Sequence, residues 1–188
     1  VIAMNEKYYR DIIPVPTDLE TQAWDRAYSN TESSFKEQSI VVGKDCLGNQ
    51  VISEFSGQSA KVSPEQGWTE ITDVYEGAVD YDAHTHPASL IYNTADKGFH
   101  ASSPNSSIED ENSYTTYGLA YRTFQKRPSI VLGLELPDQL EGYKESELKS
   151  AKKNPDTWVP IKGSFKKMIT FYNETGEIGD KGKKNMDY

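Results

Sequence analysis

The sequence predicts an α/β or α+β domain, in which a mixed β-sheet is flanked by helices. Leu19, Ala23 and Ala27 recur at helical spacing behind a capping-box signal. Two apolar runs of strand length flank a turn-like segment in the first third of the chain, and residues 129–134 form its most apolar run. A chain of 188 residues is long enough for one domain with its own core.

Apolar spacing, the positions of Pro and Gly, and charge predict the elements along the chain. They are an irregular lead-in at 1–16, a helix at 18–29, strands at 39–42 and 50–55 around a turn at 43–49, a strand at 70–75, a strand at 77–86, a Ser-, Asn- and Gly-rich loop at 88–106, a helix at 107–122, a central strand at 129–134, a charged helical segment at 138–157, and a hairpin at 167–178 with its turn at 173–176. The polar residues from 179 to 188 predict a flexible tail.

Composition excludes several classes of function. The net charge of −9 argues against nucleic acid as a partner, and no apolar run has the length of a membrane span. The first residues lack a basic segment followed by an apolar one, so no signal peptide is predicted. Cys46 is the single cysteine, which excludes an internal disulfide and a CxxC zinc site.

The most informative motif is His84-Thr85-His86-Pro87, at the end of the predicted 77–86 strand. Side chains at i and i+2 of a strand point to the same face, so two imidazoles can hold one metal ion. Pro87 ends the strand, which opens the site to solvent. Asp80 and Asp82 share that predicted face, where solvent exposure is the simpler expectation and orientation of the imidazoles the alternative.

A catalytic zinc needs a third protein ligand and a nearby carboxylate that accepts a proton from its water. Ser107 and Asp110 supply a Ser-x-x-Asp motif at the head of the predicted 107–122 helix. The same spacing is that of a capping-box variant, and one pair of residues can serve both purposes. His100 lies in the Ser-rich loop and is expected to be an ordinary loop histidine.

Together, the His84/His86 pair and the Ser107/Asp110 pair resemble the motif of JAB/MPN (JAMM) metalloproteases, and in particular the JAB-like domains of bacterial polymorphic toxins. The resemblance implies a cytidine-deaminase-like mixed sheet over a single domain at 17–178, with insertions at 88–106 and 138–157. It also implies that Zn²⁺ is bound by His84, His86 and Asp110, that Ser107 assists at the oxyanion, and that an earlier glutamate acts as general base.

Two assignments within this resemblance remain open. The family places about ten residues between the second histidine and the aspartate, whereas 23 separate His86 from Asp110. Asp96 lies at a more usual distance but lacks the serine, so Asp110 is preferred. Glu37, just before the first strand, stands where the family has its base, and Glu54 on the next strand is the rival.

The function implied is a zinc-dependent hydrolase of a peptide, isopeptide or amide bond, with a protein or peptide as substrate. The resemblance further implies a bacterial toxin or effector domain, secreted or delivered to a target cell and neutralised by an immunity protein. Two alternatives stay open: a catalytically inactive JAB-like binding module, and an acidic immunity or adaptor protein.

Overall fold

A computed structural model describes residues 16–58, 61–102, 107, 110, 129–172 and 185–187. The helical elements are α1 (Asp18–Ser34), α2 (Glu65–Thr69), a π-helical turn (Glu70–Val74), a 3₁₀ turn (Leu140–Gly142) and α3 (Glu145–Lys153). The strands are β1 (Gln38–Lys44), β2 (Gln50–Ser56), β3 (Ala78–Thr85), β4 (Ser89–Asn93), β5 (Gly98–Ala101), β6 (Ser129–Glu135), β7 (Val159–Pro160), β8 (Lys166–Tyr172) and β9 (Asn185–Asp187).

The main sheet has six strands in the order β2-β1-β3-β6-β8-β9. β3 and β6 are parallel, and every other neighbouring pair is antiparallel. The predicted mixed sheet flanked by helices is therefore confirmed. The strands predicted at 39–42, 50–55 and 129–134 correspond to β1, β2 and the central β6. Within the predicted flexible tail, Asn185–Asp187 form the edge strand β9.

Helix α1 covers one face of this sheet, which we call the α1 face. Its capping box is complete: the Thr17 hydroxyl accepts from the Glu20 N–H, and the Glu20 carboxylate accepts from the Thr17 N–H. The helix continues five residues past its predicted end, because Thr31 is also buried, and it closes on Phe35 in the left-handed conformation. Apolar side chains of α1 pack against β1, β3, β6 and β8, namely Ala23, Trp24, Ala27 and Tyr28 on Ile40, Val42, Tyr81, Ala83, Ile130, Leu132 and Ile169.

The opposite face carries α2 and the π-helical turn, so the prediction of a strand at 70–75 was wrong. Trp68 and Ile71 are three residues apart and share one helical face, where both are buried against Val41 and Val79. Gly67 permits this approach, since a Cβ built on it would lie 2.5 Å from Val41 Cγ2. Tertiary packing thus overrides the strand propensity of the segment.

An irregularity in the β1–β3 register changes which residues of β3 share a face. Val42 pairs with Tyr81, whereas Gly43 pairs with Val79, so Asp80 is the additional residue of a bulge. Tyr81 and Ala83 lie on the α1 face, and Val79 packs with Val41 on the opposite face. Strict alternation along the predicted 77–86 strand would place Val79 and Tyr81 on one face, but the alternation ends at the bulge.

A second, smaller sheet has the order β5-β4-β7 and is packed against α3. Its strands β4 and β5 occupy 89–101, so the prediction of a loop over 88–106 was wrong for that part. Within the charged 138–157 segment, α3 buries one side against the smaller sheet, where Ala151 packs on Leu90, Val159 and Ile161. Most of its charged side chains lie on the opposite, exposed side.

Some predictions fall on residues that the structure does not describe. The 107–122 helix is represented by Ser107 and Asp110 alone, and Asp110 is helical. The 173–176 turn and the lead-in before residue 16 lie outside the described residues. Among the helices of the described ranges, none combines the length and the apolar character needed to cross a bilayer.

Candidate metal centre

His84 and His86 lie at the C-terminal end of β3, the first within the strand and the second directly after it. His84 pairs with Ser39 of β1 and with Val131 of β6, and its side chain lies on the face opposite α1. The strand ends at Thr85, whose hydroxyl is held on the α1 face by Thr31 and by the Gln38 N–H. The His86 N–H still donates to the Leu132 carbonyl at 3.1 Å, so both imidazoles are attached to a rigid central strand.

Ser107 and Asp110 form a reciprocal pair of hydrogen bonds, and Asp110 is helical. The Asp110 N–H donates to Ser107 Oγ at 3.0 Å, and the Ser107 N–H donates to Asp110 Oδ2 at 2.7 Å. This is the capping-box geometry that the spacing predicts, with Asp in the place of Glu. The Ser107 N–H therefore holds the Asp110 carboxylate in one orientation.

The three side chains converge on one point. His84 Nε2 lies 3.2 Å from His86 Nε2 and 3.0 Å from Asp110 Oδ1, and His86 Nε2 lies 3.2 Å from Asp110 Oδ2. Zinc bonds of about 2.0–2.2 Å in a tetrahedral site put neighbouring ligand atoms about 3.3 Å apart. Two imidazoles and one carboxylate with these separations fit a divalent metal, and His₂Asp leaves one tetrahedral position for water or substrate.

In the metal-free protein, opposite charges attract the two histidines to Asp110. Burial lowers the pKa of His84, but the charge of Asp110, its hydrogen bond, and the carboxylates of Glu37 and Asp82 outweigh this and raise the pKa to about 9. Burial acts to raise the pKa of Asp110, but the charges and hydrogen bonds of His84 and His86 hold it well below its usual range. A divalent cation would replace the proton that holds His84 against Asp110.

Glu37 lies beside this cluster. It directly precedes β1, and extending the Ser39–His84 register by two residues places it opposite His86, on the face that carries His84. Its backbone is fixed by hydrogen bonds to Gln58 and Gly57. Burial raises the pKa of Glu37, and positive charge on His84 and His86 partly offsets that rise.

Glu54, the alternative general base, and Asp96, the alternative third ligand, both lie away from the His84–His86–Asp110 group. Glu54 pairs with Ile40 of β1 on the α1 face, where Arg26 holds it through two hydrogen bonds of 3.0 and 2.9 Å. Asp96 lies in the β4–β5 turn, and its carboxylate accepts from His100 Nε2 at 2.6 Å, with both side chains about half exposed. Neither Glu54 nor Asp96 belongs to the His84–His86–Asp110 group.

The hairpin of β4 and β5 accounts for the long gap between His86 and Asp110. Its base is closed where the Ser102 N–H donates to the Ser89 carbonyl at 2.9 Å, and Ser102 Oγ donates to the Pro87 carbonyl at 2.8 Å. The closed segment 89–102 takes fourteen of the 23 intervening residues, so nine remain. That length agrees with the spacing that the resemblance implies.

Asp82 is a neighbour of the cluster whose burial the sequence did not predict. It is 5% exposed, and Asp80 is 8% exposed, so the expectation of solvent exposure was wrong for both. Ser129 Oγ donates to Asp82 Oδ1 at 2.5 Å from the adjacent β6. Burial raises the pKa of Asp82 to about 6, although the Ser129 hydrogen bond and the charge on His84 act in the opposite direction.

Cys46 does not contribute to the site. It is exposed in the turn after β1, whereas Glu37 precedes β1, so the length of the strand separates the two residues.

Comparison with known proteins gives no match: no protein-family model, no curated protein and no solved structure corresponds to this chain. The class of the protein therefore rests on its own fold and site, a mixed α/β domain with a candidate His₂Asp metal centre at the end of its central strands.

Proposed function

We propose that this protein is a zinc-dependent hydrolase of JAB/MPN type that cleaves a peptide, isopeptide or amide bond. The observation that carries the proposal is the convergence of His84, His86 and Asp110 on one point, with the buried carboxylate of Glu37 coupled electrostatically to all three. The nine-residue spacing that remains outside the closed β4–β5 hairpin also supports it.

When bound, zinc supplies Lewis acidity and lowers the pKa of its water to about 7. Glu37 lies beside the residues that would hold the metal, and it would accept a proton from the attacking water and pass it to the leaving amine. Burial acts to raise the pKa of Glu37, and a bound cation would act to lower it.

Ser107 is positioned to stabilise the negative charge that develops on the substrate carbonyl oxygen. Its oxygen accepts a hydrogen bond from the Asp110 N–H, which orients the hydroxyl and leaves its O–H able to donate. The same residue keeps Asp110 in place through its own N–H. Ser107 and Asp110, joined by these two hydrogen bonds, would therefore supply one oxyanion donor and one metal ligand.

The test is proteolysis of an unfolded protein such as reduced casein by the zinc-loaded chain, read out by mass spectrometry of the products. Glu37→Gln is expected to bind zinc normally and to lose at least about a hundredfold in rate, as removal of a general base does. Glu54→Gln is the matched control, because this carboxylate lies on the other face of the sheet. Equal rates for Glu37→Gln and the parent would refute the role of Glu37, and no cleavage by zinc-loaded parent would favour a binding module.

As part of the same proposal, the hydrolase acts as a bacterial toxin or effector domain neutralised by an immunity protein, for which the sequence resemblance is the support. The test is growth of bacteria that express the chain inside the cell. Growth inhibition by the parent and none by Glu37→Gln would agree with this setting, and equal growth of both strains would contradict it.

A further inference from the structure

A cleft of about 640 Å³ lies on the α1 side of the sheet and reaches the end of β3, where His86 is the one candidate metal ligand in its lining. The remaining wall comes from the C-terminal half of α1, the end of β6, and the 160–167 segment that leads from β7 into β8. The volume lies within the range of about 300–1,000 Å³ that is usual for ligand sites.

Aromatic and aliphatic side chains form one part of the wall, and hydroxyl and charged side chains form the rest. Phe35 at the end of α1 and Phe165 before β8 are both half-buried, and Leu134 and Ile161 also line the cleft. Side chains of this kind favour a ligand with an apolar group, since removing apolar surface from water stabilises the complex.

The charges at the cleft differ from those of the rest of the protein. The chain has a net charge of −9, yet the cleft contains Lys162 and Lys167 and one carboxylate, Glu32. Lys167 also approaches Asp25 at 3.4 Å and lies over the Tyr28 ring, which fixes its position at the rim. Lys162 is exposed on the segment before β8. Because Lys167 is already paired with Asp25, Lys162 is the cation that favours an acidic group on the ligand.

We infer that this cleft binds an extended segment of the polypeptide substrate, which places an apolar side chain between Phe35 and Phe165 and an acidic side chain near Lys162. The inference rests on the proposed hydrolase function for the position of the scissile bond at His86, and it adds the preferred sequence of the substrate. A small amide would leave most of the cleft empty, whereas a peptide fills it and presents both kinds of side chain.

The test separates binding from catalysis. Random peptides displayed on phage are selected on the full chain carrying Glu37→Gln, once with zinc and once with a chelator. The same selection is made on Lys162→Glu and on Phe35→Gly in that background. Phe35→Gly removes the ring at no backbone cost, because this residue has a φ of 55° that glycine adopts readily.

Matched controls are Lys149→Glu, which makes the same charge change on the exposed side of α3, and Leu47→Ala, which removes an exposed apolar side chain from the β1–β2 turn. The expected result is enrichment of peptides with an apolar residue next to Asp or Glu. Lys162→Glu should abolish the acidic preference and weaken the selected peptides roughly tenfold, and Phe35→Gly should weaken the apolar preference, while both controls leave the selection unchanged.

Enrichment of no consensus, or a consensus that survives both cleft substitutions, would overturn the inference. The experiments distinguish failure of the cleft inference from failure of the hydrolase proposal. Casein cleavage with no effect of the cleft variants would refute the cleft alone, and peptide binding in chelator without cleavage in zinc would refute the hydrolase alone.

Discussion

Ser102 and Ser89 close the base of the β4–β5 hairpin through two hydrogen bonds. The Ser102 N–H donates to the Ser89 carbonyl at 2.9 Å, and the Ser89 N–H donates to Ser102 Oγ at 3.1 Å. Because Ser102 Oγ also donates to the Pro87 carbonyl, the chain returns from the hairpin to the residue that follows His86. This closure brings Ser107 and Asp110 within reach of the histidines.

Ser102→Ala is expected to reduce the free energy of unfolding by about 1–2 kcal/mol, because the buried Ser89 loses the acceptor of its N–H. Chemical denaturation measures the change. Ser33→Ala removes an exposed hydroxyl of α1 and should alter stability by less than about 0.5 kcal/mol. Equal effects of the two substitutions would show that the hairpin base contributes nothing specific.

Asp82→Asn is expected to lower the pKa of His84 in the chelated protein, because one of the carboxylates that favour its charged form becomes neutral. The amide oxygen of Asn can still accept from Ser129, so the strand pairing should survive. NMR titration of the imidazole measures the pKa. An unchanged His84 titration in a folded Asp82→Asn protein would contradict the electrostatic account of this face.

The metal-free protein should lose stability as the pH rises from about 6.5 to about 9. His84 has a pKa of about 9 when folded against 6.5 for the free side chain, so between these values the folded state holds the extra proton. The contribution is complete below pH 6.5 and lost above pH 9, and it amounts to at most about 3 kcal/mol. Denaturation in chelator at a series of pH values measures it.

His84→Gln should flatten that pH dependence, since the titrating group is gone. His100→Gln is the matched control, because this imidazole is paired with Asp96 outside the cluster. A parent protein whose stability is constant or rises over the same pH range would contradict the assignment.

Gly67→Ala is expected to destabilise the protein by about 1–3 kcal/mol, although alanine is the better helix former. The added methyl would lie 2.5 Å from Val41 Cγ2 and 2.9 Å from Phe55 Cζ, so α2 must move away from the sheet. Thermal denaturation measures the loss. Gln66→Ala on the exposed side of the same helix should be nearly neutral, and a stabilising Gly67→Ala would refute the close packing.

Local sequence signals predicted the elements whose stability is mostly local. The Thr17–Glu20 capping box, the turn between β1 and β2 and the apolar β6 all appear where the pattern placed them, although Gly43 and Lys44 of the predicted 43–49 turn belong to β1. The same reasoning recovered the histidine pair, because its spacing on a strand needs no knowledge of the remaining fold.

The remaining features depend on contacts between distant segments, which periodicity does not encode. Trp68 and Ile71 are helical because Val41 and Val79 cover them, and Val79 changes face because of the bulge at Asp80. The hairpin 89–101 is stabilised by α3 and β7 from much later in the chain. Asp82 is buried because Ser129 lies beside it across a parallel pairing that no local pattern shows.

The most direct measurement is the zinc content of the purified chain by elemental analysis, with His84→Ala/His86→Ala and His100→Ala measured beside it. We predict about one zinc per chain in the parent and in His100→Ala, and none above background in the double variant. A parent that stays free of zinc after loading, or a double variant that keeps its zinc while folded, would contradict the assignment of His84, His86 and Asp110 as a metal centre.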